Sequence, residues 1–323
     1  MENQSLDPNL IEQLAKLQKK YAAMGQDLSS YLDGLLYSDF TNYWEYIHLD
    51  TLLSLQNPKT QFKDEKVFII YHQITELYFN LILWEIEQIS LNENLTLDFF
   101  VTRMKRVINY FRQLENSFSV MIEGMEKEQF LKFRMALLPA SGFQSAQYRL
   151  IELPSTDLVN LVNAEERTPQ LDPTNTSDLL TKIYWRKGST ELSSGKGTLT
   201  LVQFEEKYMK TFVETAEAYR KRNLYQIYLQ KFRGIQPAIS VLREFDLLAN
   251  VEWPLAHLKS SGHYLHKAPE DIRATGGTNW QKYLPPRFRR VHFFPELWSE
   301  EEKTEWGKGV ILNALNNASK SPK

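Results

Sequence analysis

Apolar residues recur every three or four positions along much of this chain, which is the spacing of one face of an α-helix. Asp7 and Pro8 form a good helix start, because a capping side chain precedes a proline in the first helical turn. A second apolar run covers 43–55 and stops before Asn57 and Pro58. The pattern therefore predicts helices, not strands, in this part of the chain.

The most hydrophobic segment predicts a long helix from Asp64 to about residue 92. Its apolar residues lie nearly all round the helix, and a helix without a polar face is typical of the centre of a bundle. Amphipathic helices are expected over 98–122 and 202–222, with shorter ones over 126–137 and 143–152. We therefore expect an all-α helical bundle.

The second half of the chain is less regular. Prolines, glycines and serines predict loops around short helices in an irregular insert over about 154–200. Residues 225–250 predict the second arm of a helical hairpin, kinked near Gly234 and Pro237. Further helices are expected from Trp253 onward and over 299–317.

Glycine is scarce, which favours long helices over many tight turns. Only 13 of the 323 residues are glycine, about 4% against an average of ~7%. No segment has the composition of an interdomain linker. We therefore expect 1–323 to form a single domain, with an N-terminal arm over about 1–40 and a disordered tail over 318–323.

Charge and cysteine content exclude several classes of function. Lys plus Arg (38) nearly balance Asp plus Glu (40), so the net charge of −2 supplies no field that attracts nucleic acid or an anionic membrane. The absence of cysteine excludes disulfides, thiolate metal sites and iron–sulfur clusters. The N-terminus lacks signal-peptide features, and 67–84 is too polar to cross a bilayer. We expect a cytoplasmic protein that binds neither nucleic acid nor membrane.

His72 lies in the middle of the most apolar predicted helix, one turn before Glu76. Burying these polar groups costs free energy unless each finds a partner. The two side chains could form a hydrogen-bonded pair in the core, or His72 could face an apolar ligand pocket. The pattern leaves both interpretations open.

Two other histidines suggest metal chemistry. Glu45 and His48 form one Glu-x-x-His motif, whereas a carboxylate-bridged di-iron bundle needs two such motifs and two further glutamates. His257 follows Trp253 on a predicted helix, and a single imidazole on a helix is enough to hold a haem in an aromatic-rich slot. Spacing alone does not decide between a structural histidine and a haem ligand.

Arg134 precedes an unusual polar loop, 139–145, that contains glycine and interrupts a predicted helix. A buried arginine beside small residues is suited to bidentate capture of a carboxylate. The alternative is an arginine that extends along the protein surface to solvent.

Five sequence blocks together resemble the haem-dependent tryptophan 2,3-dioxygenase family. They are YWEYIHLDTLL (43–53) with QNP (56–58); DEKVFIIYHQ (64–73); FR (133–134) with PASGFQS (139–145) and QYR (147–149); W-x-x-x-H (253–257) with TGG (275–277) and YL (283–284); and FPELW (294–298). The blocks follow the family's order and span about residues 40–300.

The resemblance implies an all-α fold with a haem pocket between long helices, and a haem b that is held without a covalent bond. It implies insertion of both atoms of O2 across the indole C2–C3 bond of L-tryptophan, which gives N-formyl-L-kynurenine. His257 matches the axial ligand of the haem iron, and His72 matches the distal histidine that faces the indole N–H. Arg134 matches the residue that holds the substrate carboxylate, and Thr275 matches one that helps fix its ammonium group.

The resemblance also assigns positions around the substrate and between subunits. Pocket positions of the family are occupied here by Phe68, Phe130, Leu137 and, beside the cofactor, Ser141. Residues that a neighbouring subunit contributes in the family are matched by Tyr43, Tyr46 and Ile47. A homotetramer is therefore implied.

One loop departs from the family pattern. After 275–277 the chain continues Thr278-Asn279-Trp280 where Ser-Ser-Gly is usual, and the spacing from His257 is longer, so His263 and His266 are alternative axial ligands. Relatives of this fold hydroxylate aromatic amino acids. The alternatives are therefore a haem-dependent oxygenase or hydroxylase of another aromatic amino acid, and a non-catalytic protein that binds haem or tryptophan.

Overall fold

The computed structural model describes residues 7–38, 41–137, 144–187, 189, 197–264 and 290–307, with the backbone alone at 187 and 261–264. This part of the chain is all-α, as the sequence predicts. Within it there is no β-strand, and Val162 and Ile183 form an isolated antiparallel bridge. None of the helices described in these ranges is long and apolar enough to span a membrane. The chain divides into two compact units, Met1–Gln56 and Asn57–Lys323.

The first unit consists of short helices. α1 (Pro8–Ala23) begins after Asp7, whose carboxylate accepts a hydrogen bond from the Asn9 N–H, and α2 (Leu28–Leu36) is capped in the same way by Asp27. The predicted helix over 43–55 is divided into α3 (Tyr43–Tyr46) and α4 (Leu49–Ser54). The reason is local, because His48 between them has a left-handed backbone with φ 52°.

Two long helices organise the second unit. α5 (Asp64–Ser90) packs against α6 (Leu97–Asn116), which begins where the Thr96 hydroxyl accepts a hydrogen bond from the Phe99 N–H. The elements that follow are α7 (Phe118–Glu123), α8 (Lys127–Phe133) with a 3-10 turn (Arg134–Leu137), α9 (Ala146–Ser155), α10 (Leu158–Leu161), a 3-10 turn (Ala164–Glu166), α11 (Thr176–Thr181), α12 (Tyr184–Lys187) and α13 (Leu199–Tyr219).

The predicted helical arm over 225–250 is not one kinked helix. α14 (Leu224–Ile227) continues into a π-helical turn (Tyr228–Phe232), and α15 (Gln236–Leu247) continues through a second π turn (Leu248–Glu252) into α16 (Trp253–Tyr264). Pro237 lies in the first turn of α15, where its missing N–H costs no hydrogen bond. The proline therefore begins a helix where the sequence analysis expected it to bend one.

Residues 290–298 return to the core and are held by Asp246 on α15. This fully buried carboxylate accepts hydrogen bonds from the Phe293 and Phe294 N–H groups at 2.9 and 3.2 Å and from Trp298 Nε1 at 2.8 Å. Asn250 Nδ2 donates a fourth at 2.8 Å. Burial raises the pKa of Asp246 to about 6 in spite of these donors. A 3-10 turn (Pro295–Leu297) and α17 (Glu300–Thr304) follow.

The core contains a large cluster and a smaller aromatic one. The large cluster joins α5, α6, α13 and α15, and phenylalanines are its largest fully buried side chains. The smaller one, here called the aromatic cluster, lies where the first turns of α5 meet α7, α8 and α16. Its buried members are Tyr71, Phe118, Met121, Met125 and Phe133.

The helix α5 is not buried on all sides in the single chain. The prediction that it lies at the centre of the bundle is therefore wrong for one side of the helix. Its other side carries an exposed apolar row, here called the α5 row, whose members are Ile70, Ile74, Leu77, Leu81 and Trp84. Exposed fractions in this row run from 38% at Ile70 to 57% at Trp84. An exposed apolar row of this length is typical of interaction surfaces.

Candidate functional site

The site residues that are predicted in the second unit and described by the structure border one feature, the aromatic cluster. Phe68 and Leu137 pack against it, as does Phe130. His72 lies on α5 beside Phe68 and Tyr71, with ring centroids 4.1 and 5.4 Å from its own. The helical spacing of Phe68 and His72 places both rings on the same face of α5, toward the cluster.

The imidazole of His72 has a defined tautomer. Its Nδ1 lies 2.8 Å from the Phe68 carbonyl oxygen. Because a carbonyl oxygen can only accept a hydrogen bond, Nδ1 carries a proton and donates it. In the neutral ring, Nε2 then holds a lone pair and can accept a hydrogen bond from a ligand.

His72 is neutral at pH 7. Burial lowers the pKa of His72 below its ordinary value of 6.5, against the opposing effects of the hydrogen bond to Phe68 and the charge of Glu76. Glu76 is not its hydrogen-bond partner in the described part of the chain, because Gln147 Nε2 donates to the carboxylate and the backbone carbonyl of Glu76, each at 2.9 Å. The interpretation of His72 and Glu76 as a bonded core pair is therefore wrong.

Arg134 is buried, with only 7% of its surface exposed, so it does not extend to solvent. It begins the 3-10 turn that follows α8, and its guanidinium carbon lies 5.8 Å from the centroid of the Phe130 ring. Phe130 in turn lies 6.2 Å from Phe68, centroid to centroid. Two aromatic rings therefore separate the buried guanidinium from the neutral imidazole of His72.

His257 lies on α16 and packs against the same cluster from that helix. Its ring is nearly parallel to those of Phe118 and Trp253, with centroids 6.0 and 6.5 Å away. Tyr71 contacts both Phe118, at 6.0 Å, and His72. The two histidines thus border one apolar cluster, and His257 is partly exposed at its edge.

Sequence reasoning missed Phe118 and Tyr71, which join the two histidines. Phe118 was assigned to a continuous amphipathic helix over 98–122, whereas that helix ends at Asn116 and α7 begins at Phe118. The sequence did offer a signal for Tyr71, because this aromatic residue directly precedes His72 on the same predicted helix.

The remaining predicted residues lie elsewhere. Tyr43, Tyr46 and Ile47 belong to the first unit, where both tyrosines are more than two-thirds exposed. The Glu45 carboxylate accepts a hydrogen bond from Asn42 at the start of α3, and His48 lies between α3 and α4. The Glu-x-x-His spacing therefore does not place the two side chains on one helical face. Several assignments fall outside the described residues, namely Ser141, His266, Thr275 and the 278–280 loop, together with the side chain of His263.

Comparison with known proteins gives one consistent family. The family model described as Tryptophan 2,3-dioxygenase matches residues 35–177. A tryptophan 2,3-dioxygenase of Ruegeria sp. (strain TM1040) is 28% identical over 271 residues, covering 81% of this chain and 92% of the relative. That of Bradyrhizobium diazoefficiens is 28% identical, with 80% and 90% covered. The Rattus norvegicus enzyme is 38% identical over 131 residues, or 37% of this chain and 30% of the relative.

Proposed function

We propose that the chain is a tryptophan 2,3-dioxygenase, like the relatives that it matches over about four-fifths of its length, and that it inserts both atoms of O2 across the indole C2–C3 bond of L-tryptophan and forms N-formyl-L-kynurenine. The observation that carries the proposal is the aromatic cluster, with a neutral histidine, a buried arginine and a third side chain, His257, around it. These are the groups that an aromatic amino acid and a haem would each require.

The surroundings of His257 fit a haem b. A single imidazole stands at the edge of an apolar aromatic surface, which suits the large flat face of a porphyrin. Among the described residues there is no group of three or more His, Cys, Asp or Glu side chains that could hold a metal ion. When bound, ferrous haem supplies the activation of O2.

The two ends of the cluster match the two ends of the substrate. Arg134 would hold the carboxylate in a charge-assisted pair, which burial strengthens because water does not screen it. Phe68 and Phe130, between Arg134 and His72, would provide apolar walls for the indole ring. They also exclude water from the reacting carbons.

His72 positions the indole and does not need to act as a base. Its Nε2 lone pair would accept a hydrogen bond from the indole N–H, because Nδ1 already donates to the Phe68 carbonyl. The lowered pKa keeps this lone pair available at neutral pH and also makes the imidazole a weaker proton acceptor. The proton therefore stays on the indole nitrogen while the ring is held in place.

We also propose that the protein is a cytoplasmic homotetramer. The α5 row is an exposed apolar surface on the second unit, and the first unit exposes Tyr43, Trp44 and Tyr46 by 71%, 55% and 78%. Exposed aromatic and aliphatic side chains in such numbers are typical of surfaces between subunits. The lack of cysteine fits a reducing compartment.

The direct test is turnover by the haem-loaded protein. Dithionite-reduced protein is mixed with air and either L-tryptophan or L-tyrosine, and the products are separated and identified by mass spectrometry. We expect product from L-tryptophan and none from L-tyrosine. Product from L-tyrosine alone would move the activity to another aromatic amino acid, and a normal haem spectrum without either product would contradict the dioxygenase proposal.

The haem ligand is tested in the same preparation. His257→Ala should lose tight haem retention, whereas His48→Ala, a change at an exposed histidine of the first unit, should retain it. An unchanged haem spectrum in His257→Ala would transfer the axial role to His263 or His266.

A further inference from the structure

A cavity lies in the unit Asn57–Lys323, where the 3-10 turn Ala164–Glu166 meets the segment 290–304. It has a volume of about 320 Å³, and its charged or imidazole lining side chains are Arg167, Arg290, His292 and Lys303. Small-molecule pockets begin at roughly 300 Å³. None of its lining residues belongs to the aromatic cluster around His72.

The cavity is strongly positive. Arg167, Arg290 and Lys303 line it, while no carboxylate does so among the described residues. Lys303 Nζ is paired with Glu300 at 2.8 Å, but neither Arg167 nor Arg290 has a carboxylate partner in the described part of the chain. Two guanidinium charges are therefore left without a counter-ion there.

Arg167 is held in a fixed position. Its Nε donates to the Val162 carbonyl at 2.8 Å, and its Nη2 donates to the carbonyls of Asn160 at 2.7 Å and Arg290 at 3.4 Å. Burial lowers the pKa of Arg167 from its ordinary value, so the charge is kept at a cost in desolvation. An anion in the cavity would offset that cost without first having to order the side chain.

His292 adds an unsatisfied polar group to the same wall. Its side chain is 7% exposed, its ring packs on Trp306 with centroids 4.3 Å apart, and its Nε2 has no hydrogen-bond partner among the described residues. Burial and the charges of Arg167 and Lys303 lower the pKa of His292 to about 4, so the ring is neutral at pH 7. A neutral imidazole offers an N–H donor, and a buried one is rarely left unpaired.

We propose that this cavity is a binding site for a small oxyanion ligand, a carboxylate or a phosphate, separate from the proposed active site. Its cations supply charge-assisted hydrogen bonds of the kind that carboxylate and phosphate oxygens accept. The volume leaves room for more than a bare ion, since a water molecule occupies roughly 30 Å³. The ligand is therefore a small organic acid or a small phosphorylated compound.

The test uses the full-length, haem-loaded protein and two probes, inorganic phosphate and acetate, at pH 7. Binding is measured by titration calorimetry, and thermal stability is measured against chloride at equal ionic strength. We expect at least one probe to bind and to raise the melting temperature more than chloride does. The double variant Arg290→Gln/Lys303→Gln should bind that probe about tenfold or more weakly, from the loss of two partly screened charge contacts.

A matched control separates the cavity from general charge effects. Lys210→Gln removes an exposed lysine that, like Lys303, pairs with a glutamate of its own helix, and it should bind the probe as the natural protein does. Arg290 has a φ of 47°. Glutamine has a Cβ atom as arginine does, so the substitution leaves the backbone strain at this position unchanged. Tight binding of phosphate alone identifies a phosphorylated ligand, and binding of acetate identifies a carboxylate.

Two results would overturn the proposal. One is equal stabilisation by chloride, phosphate and acetate with no saturable binding. The other is the same affinity in the double variant as in Lys210→Gln while its helical circular dichroism is unchanged. Turnover of L-tryptophan is recorded in parallel, so a failure of the anion site is distinguished from a failure of the proposed enzyme.

Discussion

At the residue scale, the molecule keeps two very different polar groups at the edge of one apolar cluster. Arg134 is buried and always charged, because a guanidinium does not titrate in proteins. His72 is neutral and has a single accepting nitrogen, because its Nδ1 is bonded to the Phe68 carbonyl. This asymmetry between a charged end and a neutral end defines which way round an amino acid would bind.

Removing the charge at Arg134 should therefore weaken substrate binding severely. Arg134→Gln is expected to lose about 2–5 kcal/mol of apparent affinity for L-tryptophan, as for other desolvated charge pairs. Lys132→Gln, which removes an exposed charge two residues away, should leave the affinity nearly unchanged. The measurement is KM and the spectral dissociation constant of both variants. Equal values in the two variants would remove Arg134 from the site.

The lowered pKa of His72 predicts the pH dependence of turnover. Neutral His72 is the form that accepts the indole N–H, and its pKa lies below 6.5, so protonation begins only at a lower pH. The kcat/KM for L-tryptophan should therefore be flat as the pH falls through 6.5 and should decline only below it. His72→Gln should remove a decline that is due to this group. A decline centred at or above 6.5 in the natural protein would contradict the assignment.

At the scale of elements, hydrophobic periodicity predicted most of the helices but not their junctions. The long helix from Asp64 was predicted within two residues of its observed end at Ser90, because its apolar pattern continues over many helical turns. The breaks at His48 and at the two π turns were not predictable, since each depends on local backbone geometry that leaves no periodic signal. The exposed side of α5 was missed because an all-round apolar pattern does not distinguish a buried side of a helix from an exposed one.

The sites, like the helices, were predicted only in part. His72, Phe68, Phe130, Arg134 and His257 were identified through resemblance, and the structure places all five around the aromatic cluster. Their roles in binding and catalysis remain predictions. The cavity beside Arg167 had no signal in the sequence, because its residues come from segments that are far apart along the chain.

The carboxylate of Asp246 connects α15 with the segment 290–298, so a substitution there measures how much this connection stabilises the fold. Every group bonded to its carboxylate is a donor, so Asp246→Asn would direct an amide N–H toward another donor. We expect a loss of about 2–4 kcal/mol in the free energy of unfolding, from unsatisfied buried groups. Asp178→Asn, at a partly exposed position on α11, should change it by less than about 1 kcal/mol. Chemical denaturation of both variants is the measurement, and equal stability would show that Asp246 does not anchor 290–298.

At the scale of the whole molecule, the α5 row is the feature that a single chain does not explain. A charge placed in it should prevent association if another subunit covers it, since an unpaired buried charge costs several kcal/mol. Leu77→Asp should therefore lower the molar mass measured by light scattering from that of a tetramer. Thr211→Asp, at an exposed position on α13, should leave the tetramer intact. A tetramer in both variants, or a natural protein that is monomeric, would contradict the proposed assembly.

The central claim, dioxygenation of L-tryptophan, is tested most directly by following the oxygen atoms. The haem-loaded, reduced protein is given L-tryptophan and ¹⁸O₂, and the product is analysed by mass spectrometry. We predict N-formyl-L-kynurenine that carries two labelled oxygen atoms, one on each carbon of the cleaved indole bond. A hydroxylated amino acid with a single labelled oxygen and an intact indole ring would contradict the account.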